Sequence, residues 1–263
     1  MNPFLYCVAG LFVGVMVGLT GVGGGSLMTP ILVLLFGQTP AVAVGTDLVF
    51  SATTKLVATV SFGYNRRVDW RIVGRLASGS IPGASAVAVW FWLRRSTPGI
   101  IDTVIAHALA VILACAAVAL LVQYPLRRLG VKLTVKWLDR SEHYRLPLTI
   151  AAGLLLGVGV TLTSVGAGAL GVVALLALYP LRLFGDRLVA TDIAHALPVT
   201  IIAAVSHALL RHVDTTVLVY LLIGSIPGVI LAARLAIRLP PQLTNSLIAL
   251  MLAAVSVRML LGK

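Results

Sequence analysis

No side chain from Met1 to Thr46 carries a formal charge; the first that does is Asp47. Inside that uncharged stretch lies "GLTGVGGGSLMTP", Gly18 to Pro30, which crowds Gly21, Gly23, Gly24 and Gly25 together. A membrane helix needs about 20 predominantly apolar residues. Irregular backbone at membrane depth survives only where protein buries it or a water-filled cavity solvates it. The segment therefore reads as a membrane helix that breaks at depth. Composition agrees. Only 11% of residues are charged, against about 25% in soluble domains, 59% are hydrophobic, and mean hydropathy is +1.05.

The formal net charge is +12. Its Lys and Arg residues stand in short breaks between apolar stretches, as topology determinants do. A nucleic-acid surface would gather them into one patch, so no nucleic-acid partner is expected. Cys7 and Cys115 lie in apolar stretches without CxxC or Cys/His spacing, and read as small buried hydrophobes. The opening "MNPFLYCVAG" lacks the basic start of a signal peptide and reads as part of the first mature element.

The chain is duplicated. "GSIPG" occurs at 79–83 and again at 224–228, and Thr46–Asp47 recurs at the same offset as Thr191–Asp192. "VSFGYNRRVD" (60–69) aligns with "VSHALLRHVD" (205–214) at that offset, and "LTGVGGGSL" (19–27) with "LTSVGAGAL" (162–170) at a slightly shorter one. The halves are 1–123 and 146–263. Between them, 124–145 is a basic linker, expected on the cytoplasmic side. Apolar elements are predicted at 4–20, 26–37, 40–63, 71–93 and 100–123, and at 147–163, 167–181, 188–210, 215–238 and 242–261. The fold class is an all-α polytopic membrane protein of two repeats, each with about five helical elements.

The first two elements of each repeat form a glycine-broken hairpin, either re-entrant or spanning. Both options leave an odd number of crossings per half, so the halves have inverted topology, a common secondary-transporter plan. A cytoplasmic linker places Arg66, Arg67, Arg71, Arg182, Arg187, Arg234 and Arg238 inside as well. Arg94, Arg95, Arg211, Arg258 and Lys263 then fall outside. That bias supports the orientation, with the Arg94–Arg95 pair against it.

A helix restarting at depth offers free N–H groups and a positive dipole end, an anion site. Thr20, Gly21, Gly23, Gly24, Gly25 and Ser26 are candidate substrate ligands in the first break. Thr163, Ser164, Gly166 and Gly168 are candidates in the second. No GK[ST] follows the glycines, so a nucleotide loop is not expected.

The element 39–62 begins with Thr39 and Pro40 in cap positions. Asp47, Ser51, Thr54, Ala58 and Ser61 fall on one face, with Lys55 at its edge. Asp47 and Lys55 lie about 12 Å apart along the axis, too far for direct contact. In the second half Asp192 matches Asp47, Thr200 stands in place of Lys55, and His195 follows Asp192 by three residues. Ionisable groups at depth usually face a cavity or a partner. Thr46, Ser51, Lys55 and Thr191 join the candidate substrate ligands. Asp47, Asp192 and His195 are candidates for coupling or for stabilising the helix breaks. Pro198 should kink its helix, and Asp69 and Asp214 should cap the helices that follow them. His107 reads as structural, His207 as lying towards the loop, and His212 as solvated. No HExxH or dense ligand cluster appears, so no metal or other cofactor is expected.

"GLTGVGGGSLMTPIL", "GTDLVFSATTK", "RRVDWR", "ATDIAHALPVT" and the paired "GSIPG" resemble the sulfite exporter TauE/SafE family, also called the toluene sulfonate uptake permease family. The likeness covers nearly the whole chain outside the linker. It implies a bacterial inner-membrane transporter of small anions, often sulfur oxyanions or organosulfonates. The residues themselves point to a secondary transporter of a small anion bound near the midplane. The alternative is a proton-linked or divalent cation transporter using Asp47, Asp192 and His195. No nucleophile–base pattern suggests an enzyme. Expected partners are the small anion and membrane lipid. One chain with two halves can be complete alone, and a homodimer is the other assembly to consider.

Overall fold

The computed structural model describes residues 3–20, 25–64, 68–138, 142–180, 182–183, 185–235 and 241–260. Among the described residues the secondary structure is helical, without strands. The helices are α1 (Pro3–Thr20), α2 (Gly25–Leu34), α3 (Pro40–Tyr64), α4 (Trp70–Leu93), α5 (Pro98–Leu138), α6 (Glu142–Thr163), α7 (Ala169–Leu178), α8 (Gly185–Leu209), α9 (Thr215–Leu235) and α10 (Pro241–Leu260). Each predicted apolar element has its helix. The fifth differs most: α5 runs past its apolar part, Gly99–Gln123, to Leu138. The stretch read as a linker therefore begins as helix, because its Leu, Arg and Lys residues favour helix whether or not they are apolar.

Four described stretches are long and apolar enough to cross a membrane: Trp70–Leu93, Gly99–Gln123, Tyr144–Thr163 and Arg187–Leu209. Large apolar side chains such as Phe4, Trp92, Leu155 and Leu209 are exposed on the outside. Lipid solvates such a surface, whereas a soluble monomer rarely exposes so much of it.

Helix packing comes in matched pairs. α1 packs on α9 and α4 on α6; α5 packs on α7 and α10 on α2; α3 packs on α9 and α4 on α8. α3 also packs on α8, and α5 on α10. Exchanging each helix for its counterpart in the other half maps these pairs onto one another. The paired "GSIPG" explains two of the contacts. Gly79 and Gly83 of α4 lie against the backbone of Ile150 and Leu154, and Gly224 and Gly228 of α9 against that of Cys7 and Leu11. Any Cβ there would strike the facing helix, so small residues let the backbones approach.

α3 and α8 form the centre and carry the two Thr–Asp motifs. Ala41, Val44 and Leu48 pack in one cluster with Ala196, Val199 and Ala203. Both capping aspartates behave as expected. Asp69 accepts from the Ile72 N–H at 3.4 Å and Asp214 from the Val217 N–H at 3.0 Å.

Candidate substrate and coupling site

α2 and α7 are each ten residues long. They rise about 15 Å, roughly half of a hydrocarbon core about 30 Å thick. Neither crosses a bilayer alone. Both begin among buried residues: Leu27, Met28 and Thr29 for α2, Val165, Ala167 and Ala169 for α7.

The turn before α7 is built from left-handed backbone. Ser164 has φ 59°, Gly166 φ 142° and Gly168 φ 103°. Glycine takes such angles at no steric cost; Ser164 takes them under strain, which tends to mark functional sites. The Thr163 hydroxyl holds the turn. Its Oγ1 lies 2.7 Å from the Gly159 carbonyl and 2.9 Å from that of Val165, and it accepts from the Val165 N–H at 3.2 Å. In the first break, Gly21, Gly23 and Gly24 lie outside the described residues, as do the side chains of Thr20 and Ser26. Gly25 and Ser26 form the start of α2.

Each helix start faces an aspartate. Thr29, in the first turns of α2, donates its hydroxyl to Asp47 Oδ2 at 2.6 Å, and Ser51 donates to Oδ1 at 3.4 Å. The Ser164 hydroxyl lies near enough to act on Asp47 but is not aligned to hydrogen-bond it. Asp192 faces the backbone N–H of Gly168, the N-cap of α7. Its Oδ1 occupies the space where a side chain on Gly171 would begin, and among the described residues no donor reaches that oxygen.

Lys55 feels the charge of both carboxylates. It is 4% exposed, and among the described residues its ammonium makes no hydrogen bond or contact ion pair. The helix face differs from the predicted one. Asp47, Ser51, Lys55 and Thr59 are buried, while Thr54 is only half-buried and returns its hydroxyl to the Ser51 carbonyl at 3.1 Å. Residues four apart stack on one helix face, which puts Lys55 at the centre of the polar face. Ala58 and Ser61 have side chains outside the described residues. Thr200, the counterpart of Lys55, is buried and spends its hydroxyl on its own helix, 2.9 Å from the Ala196 and Leu197 carbonyls. The cation is thus supplied by one half only.

His195 Nε2 lies 2.9 Å from Ser80 Oγ, and its Nδ1 has no partner among the described residues. Thr46 and Thr191 sit apart from this cluster in their contacts. The Thr46 hydroxyl accepts from the Asp214 N–H at 3.0 Å, and that of Thr191 from the Asp69 N–H at 3.1 Å. They tie the Thr–Asp helices to the caps of the opposite half. Asp69 is further held by Arg182, at 2.7 and 3.2 Å, and by Arg187 at 3.2 Å.

The histidines away from this cluster differ from expectation. His207 is buried, with Nε2 3.1 Å from the Thr161 carbonyl. His212 is half-buried, its ring 5.6 Å from that of His207. Burial holds His212 below the ordinary histidine range, against the opposing pull of Asp102. A loop position alone does not reveal such packing. His107 is exposed and turns Nδ1 to the Thr103 carbonyl at 2.7 Å. Among the described residues no group of three His, Cys, Asp or Glu side chains gathers as metal ligands do.

Thr29, Ser80 and Gly171 were not singled out by sequence reasoning. Thr29 lies within the opening glycine-rich stretch and Ser80 within the repeated "GSIPG", so both were visible as motif members. Nothing in the sequence marks Gly171 as the neighbour of Asp192.

Half-length helices meeting buried ionisable residues in a polytopic helical bundle define a membrane transporter. The chain belongs to the sulfite exporter TauE/SafE family, which matches residues 6–259. It is 38% identical over 234 residues to "Probable membrane transporter protein YjnA" of Bacillus subtilis (strain 168), covering 89% of this chain and 90% of that protein. It is also 38% identical over 79 residues to "Probable membrane transporter protein YunE" of the same organism, covering 30% of this chain and 26% of that one. No solved structure matches it.

Proposed function

We propose that this chain is a secondary transporter in the bacterial inner membrane that carries a small anion, a sulfur oxyanion or an organosulfonate. The anion binds near the midplane between the starts of α2 and α7. The observation that carries the reading is Lys55, a buried residue whose ammonium feels both aspartates but makes no hydrogen bond or contact ion pair among the described residues. A buried cation not held in direct contact is costly, so a ligand of opposite charge suits that position. The N–H groups at the two helix starts add a positive field. The family's name, sulfite exporter, supports the substrate class. The matched packing pairs support a pseudo-two-fold plan, and the positive-inside bias supports inverted halves with the linker in the cytoplasm.

Transport into proteoliposomes tests the reading. Labelled sulfite, sulfate, thiosulfate and a short alkyl sulfonate are offered in turn to wild type and Lys55→Ala. At least one should enter wild-type vesicles, and its rate should fall to background in Lys55→Ala while folded protein remains in the membrane. Equal transport by both proteins removes Lys55 from the site. A cation reading draws on the two aspartates and His195, whose Nδ1 is open. Lys55 repels a cation there, so uptake of a divalent metal that ceases in Asp47→Asn is the result that would revive it.

A further inference from the structure

We infer that Asp192 is the proton-coupling residue, so that each anion crosses with a proton carried on that carboxyl. The inference rests on the anion site proposed above and adds to it the identity of the coupling ion.

The two aspartates occupy equivalent places in the repeats but unequal surroundings. Asp47 has a short hydroxyl donor, Thr29 at 2.6 Å, and a longer, weaker contact from Ser51 at 3.4 Å. Donors of this kind hold a carboxylate in its charged form. Asp192 is 2% exposed and has no donor at Oδ1 among the described residues. A dry carboxylate oxygen without a donor is costly, and a bound proton removes much of that cost. Where two acids in one site have environments this different, their roles divide. Asp47 stays the fixed charge and Asp192 takes the proton.

Charge balance gives the coupling. Asp47, Lys55 and Asp192 together sum to one negative charge when all are ionised. Lys55, on α3, is the cation whose charge acts on Asp192. Among the described residues, the start of α7 brings Gly168 and Gly171 to Asp192, and Ser80 of α4 contacts His195 on α8. Among the described residues, no charged group of α4, α6 or α7 acts on Asp192. A singly charged anion drawn to Lys55 would bring the site to two negative charges and screen Asp192 from the cation that acts on it. A proton from bulk water, bound as a new O–H bond on Oδ1, keeps the site at one negative charge. When the anion leaves, the field of Lys55 acts on Asp192 again and the proton departs on the same side.

The test counts protons in proteoliposomes with an internal pH dye and clamped membrane potential, using sulfite, thiosulfate and a short alkyl sulfonate. Wild type should accumulate the transported anion about tenfold per pH unit by which the outside is more acid than the inside, since a tenfold ratio corresponds to one proton per anion across one pH unit. Asp192→Asn should still exchange labelled for unlabelled anion, but with one proton fewer per anion and no gradient-driven accumulation. The difference between the two proteins cancels protons carried by the anion itself. An equal proton count in both proteins overturns the inference. So does wild-type accumulation that ignores the pH gradient or follows sodium instead; neither result needs the variant to fold. In both cases continued anion exchange leaves the anion reading standing. Absence of exchange for every anion overturns that reading first.

Discussion

Replacing Thr29 with valine removes the shorter of the two hydrogen bonds to Asp47 and changes little else in shape. Thr29 and Asp47 are both 0% exposed, so no water can take the place of the lost hydroxyl. The bond is 2.6 Å long, in the range of O–H donors to an ionised carboxylate. Bonds to charged groups contribute about 1.5–3 kcal/mol, and Thr29→Val should cost an amount in that range. Ser51 is the internal control. Its bond to the same carboxylate is 3.4 Å, beyond the usual O–H···O range, so Ser51→Ala should cost under about 1 kcal/mol. The assay is a double-mutant cycle on unfolding free energy in detergent micelles, with Asp47→Asn as the second change. In the Asp47→Asn background the Thr29→Val cost should drop by about 1 kcal/mol or more, because the charge that strengthened the bond is gone. A Thr29→Val cost that is no larger than that of Ser51→Ala, or that is the same with and without Asp47→Asn, refutes the view that Asp47 is held as a carboxylate by α2.

Three further outcomes follow from other contacts. Gly171→Ala places a methyl group where Asp192 Oδ1 sits; overpacking of this kind costs about 1–3 kcal/mol, and displacement of the carboxyl should slow transport more than the same change at Gly99, which has open space. Asp69→Asn should cost about 1–2 kcal/mol, because Asp69 is buried while Arg182 and Arg187 are half-exposed, placing the ion pairs between the surface and buried cases; a salt-independent loss would argue against their electrostatic origin. Burial lowers the proton affinity of His212, so the unfolded chain takes its proton first as pH falls. His212 therefore removes stability progressively below about pH 6.5, the ordinary histidine value, and a stability profile of His212→Gln should be flatter there than that of wild type.

The helical elements were legible because hydropathy and helix caps are local properties of the chain. Thr39 before α3 with Pro40 at its first position, and Asp69 before α4, mark those helix starts without tertiary information. The duplication was legible because "GSIPG" and the Thr–Asp pairs repeat in order, and the structure adds what the repeats pack against. Lys55 was misplaced at the edge of its face because an averaged helical wheel does not say which part of the wheel the other helices cover. The partnership of Thr29 with Asp47 and of Ser80 with His195 joins residues far apart in sequence. It depends on how α2 and α4 dock, which periodicity does not encode. Thr46 and Thr191 illustrate the converse. Their position beside the aspartates suggested ligands, yet in the fold their hydroxyls bond to the backbone N–H groups of Asp214 and Asp69.

The most direct measurement is anion-dependent thermal stabilisation of the purified protein, wild type beside Lys55→Ala and Lys55→Arg, across sulfite, sulfate, thiosulfate and a short alkyl sulfonate. A ligand that binds only the folded state raises the melting temperature as its concentration rises above its dissociation constant. The account predicts that at least one anion stabilises wild type, less so Lys55→Arg, and not Lys55→Ala. Equal stabilisation of Lys55→Ala, or a response to divalent cations with none to any anion, contradicts it.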